Sequence, residues 1–323
     1  MWKSTLRRFL IAIPQLLAVS LVVFALAQFL PGDPLQGLIV EDGTLDPERV
    51  HEMRVAAGLY DPVWQRYFTW IGNMLRGDFG RSLNWRRPVI ELVGERLSNS
   101  MLLSGLTLIM VYTVAVPLGL IAGRYKGRVA EKVISFWNFI QMSFPTIIFA
   151  VILLWVFAII LQWFPISGSR NALLVHQSWW VVFRDRIHHA MLPAIAGAAL
   201  AGVAIVQFLS NEVNDQKNLE YTTTALGKGV PLNKVYTRHI FRNSLLPIAS
   251  GLGSAIVGIF GSGVIIENLF TFRGMGNLFV TGLNNQDWPV VNFLVMFYGA
   301  LTIIGFLISD IMLTIFDPRI RIK

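Results

Sequence analysis

Six long runs without a charged residue constrain this chain more than any other feature. An α-helix needs about 20 residues to cross the hydrocarbon core of a bilayer. The uncharged runs reach or exceed that length and cover residues 9–30, 97–123, 133–164, 190–211, 243–266 and 288–309. A segment alone in lipid must satisfy its own backbone hydrogen bonds, so each run is predicted to be helical. The sequence therefore predicts an all-α polytopic membrane protein with six transmembrane helices.

Four prolines fall within or beside these runs. They are Pro14, Pro117, Pro145 and Pro193. Proline lacks the backbone N–H and clashes with the preceding turn, so each is expected to kink or begin a helix.

The distribution of Lys and Arg predicts which way the spans face. An even number of spans places both termini on one side, and that side carries 15 basic and five acidic residues. The opposite loops carry 12 basic and 13 acidic residues. Because basic residues are retained in cytoplasmic loops, both termini are predicted to be cytoplasmic. The net charge of +8 is then a topology signal and does not indicate nucleic-acid binding.

The first run also has an alternative interpretation as a cleaved signal peptide. Lys3, Arg7 and Arg8 precede it, and Ala25 and Ala27 have the spacing of a cleavage site. However, the run has 22 residues, whereas a signal-peptide core has about 7–15. The length favours a membrane span.

The longest outer segment, 31–96, contains an aromatic amphipathic pattern. Val63, Tyr67, Trp70 and Met74 recur at helical spacing, which predicts a helix within 59–83. Two functions remain open for this helix. It either docks an extracytoplasmic partner or caps the bundle by packing on the spans.

A polar stretch, 218–247, lies between the fourth and fifth runs. It is predicted to receive force from an ATPase partner of a membrane pore. Asn218 is expected to cap a short helix over about 219–227. Gly229 suits the position just after its end, and Pro231 prevents continuation. A second helix is predicted from Asn233 toward the fifth span. The alternative is an interfacial amphipathic helix with basic residues reaching to the headgroups.

Several kinds of chemistry are missing from the sequence. There is no phosphate-binding loop, no H-E-x-x-H or G-x-S-x-G motif, and no cysteine. His188 and His189 are adjacent, so they would point to different faces of a helix, and no metal site is predicted. The chain is therefore predicted not to be an enzyme, and any ATP hydrolysis would lie in partner subunits. Glu267, at the end of the fifth run, could contact a cationic group of a substrate.

A series of short motifs in order resembles one family. They span nearly the whole chain: Pro31–Pro34, Leu75–Ser82, Glu95–Leu97, Glu220-Tyr221, Thr224-Ala225, Lys228-Gly229, Arg238-His239, Arg242-Asn243, Leu246-Pro247, Glu267–Phe270, Gly274–Gly276 and Asp317–Arg321. Together they resemble the first permease subunit of bacterial dipeptide, oligopeptide and nickel importers of the ATP-binding-cassette (ABC) class. The resemblance implies the type I importer permease fold (MetI-like) in a multi-pass bacterial inner-membrane protein.

The resemblance also implies partners and roles. The partners would be a second homologous permease, two ABC ATPase subunits that bind ATP and Mg, an extracytoplasmic substrate-binding protein, and membrane lipid. No cofactor or metal is expected in this chain itself. Coupling to the ATPase is assigned to Glu220, Tyr221, Thr224, Ala225, Lys228 and Gly229. Apart from the resemblance, the polar residues Gln207, Glu267, Asn268 and Asn292 are predicted to belong to the substrate path or gate.

In domain terms, the resemblance implies three parts. Residues 1–96 hold the first span and the outer segment, 97–316 hold the five-helix permease core with the coupling loop 212–245, and 317–323 form a cytoplasmic tail. This loop departs from the general importer pattern, because Glu220 lies earlier than the usual acidic position. Within transport, a nickel or metal-chelate substrate is the alternative to a peptide. Outside transport, the alternatives are a membrane-embedded enzyme and a receptor.

Overall fold

The fold was analysed in a computed structural model that describes residues 2–29, 48, 51–52, 55, 60–174 and 176–316. Within these residues the regular structure is helical, and one isolated β-bridge joins Arg81 to Pro88. The helices are α1 Trp2–Phe29, α2 Val63–Leu75, α3 Val89–Arg124, α4 Val129–Ser143, α5 Thr146–Leu154, α6 Trp179–Lys217, α7 Glu220–Gly227, α8 Leu232–Lys234, α9 Phe241–Ser244, α10 Leu246–Ser250, α11 Leu252–Leu269, α12 Met275–Asn284 and α13 Trp288–Phe316. The predicted turn at 31–34 and the motif at 317–321 lie outside the described residues.

Four helices are long and apolar enough to cross a membrane: α1, α3, α6 and α13. A bent pair, Val129–Ser143 with Thr146–Ile160, could supply a fifth span. The fifth run in the sequence forms α10 and α11, which are separated at Gly251. The all-α polytopic class is therefore confirmed.

The third predicted span differs most from the sequence expectation. Residues 133–164 were predicted as one span, but the two helices there meet at 100°. Pro145 disfavours the helical conformation at the residue before it, and Phe144 is accordingly extended at φ −97° and ψ 130°. Pro145 thus begins a helix, as predicted. Pro14, Pro117 and Pro193 lie inside continuous helices.

Helices α3 and α6 form the centre of the bundle through small residues. A Cβ added to Gly123 would lie 2.6 Å from the Cβ of Val213, and one added to Gly119 would lie 2.8 Å from the Cβ of Leu209. Small residues allow this close approach in a membrane protein, where van der Waals contact drives helix association. Small residues of the fourth run contribute to the same contact, since a Cβ added to Gly197 would lie 3.3 Å from Cγ2 of Thr107 and one added to Gly202 would lie 3.5 Å from the Cβ of Ala115.

Helix α2 packs on α1, as one of its two predicted functions requires. The Tyr67 hydroxyl lies 2.8 Å from Ser20 Oγ, and Tyr67 and Trp70 both contact the ring of Phe24. Trp64 and Phe68, on the other face, are each 65% exposed. One face of the helix is therefore a cap on the bundle, and the opposite face is open.

Two buried carboxylates fix the loops at the end of the bundle opposite α7. Asp287 accepts hydrogen bonds from the Ser82 hydroxyl and from the amides of Leu83 and Asn84, each 3.2 Å away. These bonds hold the segment that carries the β-bridge against the start of α13. Glu267 has the equivalent place at the end of α11. Its oxygens accept bonds from Ser100 Oγ at 2.5 Å and from two amides at the start of α12.

Candidate functional site

Helix α7 is held against the bundle by the residues that precede it. The ammonium of Lys217 donates to the carbonyl oxygens of Gly123 at 2.6 Å and Arg124 at 3.1 Å. These carbonyls belong to the last turn of α3 and have no partner within that helix, so a basic side chain is a natural cap. The base of α7 is therefore tied to the end of α3.

The first turn of α7 is fixed by side chains that point inward. Thr222 is buried, and its hydroxyl donates to the carbonyl of Gln216 at 2.9 Å. The Tyr221 hydroxyl donates to the side-chain oxygen of Gln216 at 2.5 Å. The predicted cap is wrong in one detail. Asn218 ends α6, and Leu219, with extended φ and ψ, precedes the first residue of α7.

A tight turn ends α7, as the sequence predicts. Gly229 has φ +76°, in the left-handed region where a Cβ would be strained. Its N–H donates to the carbonyl of Leu226 at 2.9 Å, and the N–H of Val230 donates to Ala225 at 3.2 Å. Pro231 directly precedes α8, which continues through a π-helical turn, Val235–Ile240, into α9. The second predicted helix is thus confirmed.

The second helix is supported by one arginine and one tyrosine. The Arg124 guanidinium donates to the side-chain oxygen of Asn233 and lies 4.9 Å from the centre of the Tyr236 ring. Tyr236 is buried, and that burial raises the pKa of its phenol. An apolar cluster of Leu209, Val213, Val235, Tyr236 and Ile240 underlies the whole segment. The loop from α7 to α9 is consequently part of the rigid bundle.

The six residues assigned to coupling divide between two faces of this segment. Tyr221 and Ala225 are half-buried and face the bundle, whereas the exposed residues are Glu220, Thr224, Lys228 and Gly229. Three leucines surround the exposed face: Leu219, Leu226 and Leu232 are 45%, 42% and 56% exposed. A short helix with polar residues and an apolar border, mounted rigidly, is suited to transmit movement from a second protein.

The four residues assigned to the substrate path lie in different surroundings. Glu267 is buried and its oxygens accept internal hydrogen bonds, including those from Gly276 at 2.7 Å and Asn277 at 3.1 Å. Asn268 is exposed and Asn292 is half-buried on α13. The exposed Gln207 donates to the sulfur of Met142 at 3.2 Å. No hydrogen bond connects these four side chains in the part of the chain that the structure describes.

The two histidines that the sequence singled out make local contacts. His188 Nε2 lies 2.9 Å from the carbonyl oxygen of Trp163, and His189 Nδ1 lies 3.3 Å from a carboxylate oxygen of Asp185. Over the described ranges, no group of three or more His, Asp or Glu side chains is arranged to hold a metal ion.

Sequence reasoning missed a pocket at the opposite end of the bundle from α7. It has a volume of about 490 Å³, and four arginines line it: Arg96, Arg170, Arg186 and Arg273. They come from α3, from α6 and from two loops, so their convergence depends on long-range packing. The only signal in the sequence is Arg96, within the Glu95–Leu97 motif. We call this cavity the arginine pocket.

Comparisons with known proteins cover the chain from end to end. Residues 115–322 match the family described as "Binding-protein-dependent transport system inner membrane component", and residues 1–104 match its N-terminal family. The chain is similar to the oligopeptide transport system permease protein AppB of Bacillus subtilis, with 33% identity over 98% of both chains. It is 28% identical to the dipeptide transport system permease protein DppB of Lactococcus lactis and to the glutathione transport system permease protein GsiC of Salmonella choleraesuis, over the full length of each.

Proposed function

The chain belongs to the family of inner membrane components of binding-protein-dependent transport systems, and we propose that its transported substrates are peptides. As a member, it is a multi-pass inner-membrane subunit of an ABC importer and not an enzyme. The peptide assignment is supported by its relatives, which are named for oligopeptide, dipeptide and glutathione transport. A nickel or metal-chelate substrate has no comparable support, since none of these three relatives is named for metal transport.

In the proposed assembly, this chain and a second permease form the path between them. Six spans cross the membrane, with α10 and α11 as the fifth and the bent pair as the third, and both termini are cytoplasmic. A binding protein delivers the peptide at the outer face. Two ATPase subunits, which carry ATP and Mg, close on the inner face. The domain division at residues 96 and 316 is part of the same proposal.

The observation that carries this proposal is the mounting of α7. Glu220 and Thr224 on its exposed face, and Lys228 directly after it, are presented to a partner, while Lys217 at the end of α6 donates to the last carbonyls of α3. Force applied to a helix held in this way moves α3 and α6 together. We assign α7 as the coupling helix, with Gly229 setting where it ends. Gln207, Asn268 and Asn292 are proposed to face the path, and Glu267 to hold its outer loop.

Reconstitution tests the function. The chain is assembled in vesicles with its partner permease, ATPase subunits and binding protein, and uptake of radiolabelled di-, tri- and pentaalanine is measured with and without ATP. ATP-dependent uptake that needs both this chain and the loaded binding protein supports the proposal. An assembly that hydrolyses ATP but accumulates none of these peptides, and instead accumulates nickel, would overturn the peptide assignment.

A further inference from the structure

The arginine pocket concentrates positive charge where the fold gives those charges few partners. Of the four arginines that line it, Arg170 and Arg273 are exposed, and Arg96 and Arg186 are half-buried. Arg273 is close enough to Arg96 for the two charges to repel each other. Like charges in a partly desolvated cavity are costly unless an anion neutralises them.

Acidic neighbours only partly balance this charge. Glu95 is the one acidic residue that lines the pocket, and its Oε1 accepts a 2.8 Å bond from Arg87, which does not line it. Glu267 acts favourably on Arg96, but the hydrogen bonds it accepts come from Ser100 and two amides. The pocket therefore retains a positive excess.

One guanidinium nitrogen of Arg96 has no partner among the described residues. Arg96 Nη1 is buried and makes no hydrogen bond with any described residue. A buried donor without an acceptor costs free energy comparable to a lost hydrogen bond, and the cost is greater for a charged group. Arg96 as a whole is half-buried and lines the pocket, so an oxyanion bound there would neutralise its charge.

The other side chains of the pocket are held in place. Arg186 Nη2 donates to Ser98 Oγ at 3.1 Å and to Asn99 Oδ1 at 2.9 Å. Asn99 Nδ2 in turn donates to the carbonyl of Arg273 at 2.7 Å and to Ser169 Oγ at 3.3 Å. This chain of hydrogen bonds joins α3, α6 and the loops after α5 and α11. The pocket is thus built from separate parts of the chain that these side-chain hydrogen bonds hold together.

The size and lining of the pocket indicate the kind of anion. A volume of about 490 Å³ lies within the range of small-molecule sites, which is roughly 300–1,000 Å³. Guanidinium groups bind carboxylate or phosphate with two parallel hydrogen bonds. Ala172 and Val182 are the only aliphatic side chains in the lining, so there is no apolar track for the acyl chains of a lipid. A small, water-soluble carboxylate fits this lining better.

We infer that the arginine pocket receives the terminal carboxylate of a peptide that has left the binding protein. The inference rests on the proposed peptide function and names a recognition site for it. Arg96 and Arg273 bind the carboxylate, and Arg186, fixed by Asn99, completes the cationic wall. Arg96 lies 28 residues before Arg124 on α3, about 42 Å along the axis at 1.5 Å per residue. The pocket and the coupling helix therefore lie at opposite ends of α3, and the same helix connects them.

A comparison of peptide acids with peptide amides tests the inference. Uptake of di-, tri- and pentaalanine and of their C-terminal amides is measured in reconstituted wild-type and Arg96→Gln complexes with the same binding protein. Because the binding protein is unchanged, its own preference cancels when the acid-to-amide uptake ratios of the two complexes are compared. Arg96→Gln is expected to lower that ratio about tenfold, since a hydrogen bond to a charged group is lost. The matched control, Arg184→Gln, alters an exposed arginine of α6 that does not line the pocket and should leave the ratio unchanged.

Three outcomes would overturn the inference. An acid-to-amide ratio equal to that of wild type in Arg96→Gln would do so, and so would an equal ratio in Arg273→Gln, which alters an exposed arginine of the pocket and serves if the first variant does not assemble. A loss of uptake seen only in vesicles with phosphatidylglycerol would show that the pocket binds a lipid phosphate. An equal loss for acids and amides, with weaker stimulation of the ATPase by loaded binding protein, would show that it docks that protein. Absence of any peptide uptake by the wild-type complex would instead contradict the proposed function.

Discussion

The hydroxyl of Ser100 in α3 donates a 2.5 Å hydrogen bond to Oε1 of Glu267 in α11, and the same hydroxyl oxygen accepts a 2.7 Å bond from the N–H of Met275. One serine therefore joins three helices, since Met275 is the first residue of α12. Both side chains are buried. Glycine is required beside them, because a Cβ on Gly274 would lie 2.3 Å from Oε1 of Glu267.

Removing this hydroxyl is expected to destabilise the bundle. Ser100→Ala leaves the N–H of Met275 without an acceptor and removes one donor from a buried carboxylate, which should cost about 1–3 kcal/mol. The effect is measured as the midpoint temperature of unfolding in detergent, with size-exclusion chromatography to monitor the loss of folded protein. Ser104→Ala, one turn further along α3 and half-buried, is the control. Equal midpoints for the two variants would show that the serine is not a structural link.

Asp287, the second buried acid, should protect the segment before α3 from proteolysis. In Asp287→Ala the hydroxyl of Ser82 and the amides of Leu83 and Asn84 lose their acceptor. The segment is then expected to open, and trypsin should cleave after Arg81 or Arg86 several-fold faster than in wild type.

Asp78→Ala is the control for that experiment. Asp78 is exposed and accepts one hydrogen bond, from the N–H of Gly80 at 3.0 Å. Its loss should leave the cleavage rate near that of wild type. Resistance to trypsin in Asp287→Ala would contradict the role given to Asp287.

Close contact between α3 and α6 predicts that alanine substitutions at two glycines of α3 have different effects on stability. A Cβ at position 123 would lie 2.6 Å from Val213 Cβ and 2.8 Å from the carbonyl of Ser210, whereas one at Gly105 would meet nothing within 4 Å. Gly123→Ala should lower the free energy of unfolding by about 1–3 kcal/mol. Gly105→Ala should be neutral or stabilise by about 0.5–1 kcal/mol. Thermal unfolding of both variants tests this difference in stability. A Gly123→Ala protein as stable as wild type would show that the two helices can separate without cost.

The turn after α7 should matter more for uptake than an equivalent turn elsewhere. Gly229 and Gly127 have φ of +76° and +82°, and neither would place a Cβ within 4 Å of another group. Valine at either position costs roughly 1–2 kcal/mol of backbone strain. Gly229→Val should reduce peptide uptake about tenfold, because the strain shifts the end of the coupling helix.

Gly127→Val introduces the same kind of strain outside the coupling helix and should retain uptake. Both proteins should insert and assemble normally, which blue native electrophoresis checks. Equal uptake by the two variants would show that coupling does not depend on the turn at Gly229.

The helices were predictable from sequence because their signals are local. Uncharged length predicted the long spans, Gly229 and Pro231 predicted the end of α7, and Pro145 predicted a helix start. The cap at Asn218 was misassigned because a short polar side chain can serve either the end of one helix or the start of the next. Pro145 marked the position of the bend at Phe144, but its angle of 100° could not be read from the sequence, since no charged residue interrupts the run.

The long-range features were not predictable. Glu267 was interpreted as a possible contact for a cationic substrate group because it lies at the end of an apolar run. Its partner Ser100 is 167 residues away, and nothing in either local sequence pairs them. The arginine pocket could not be predicted for the same reason. Arg96, Arg186 and Arg273 come together only when α3, α6 and the loop after α11 are assembled.

Site-specific cross-linking tests the central claim, that α7 docks an ATPase subunit. The chain has no cysteine, so one introduced thiol can be labelled without background. Thr224→Cys places that thiol on the exposed face of α7, and Thr69→Cys places it on exposed α2 as a control. After labelling with benzophenone maleimide and irradiation of the assembled complex, Thr224→Cys should form an adduct with an ATPase subunit and Thr69→Cys should not. An ATP-hydrolysing complex in which Thr224→Cys gives no such adduct, or in which Thr69→Cys gives one, would contradict the account.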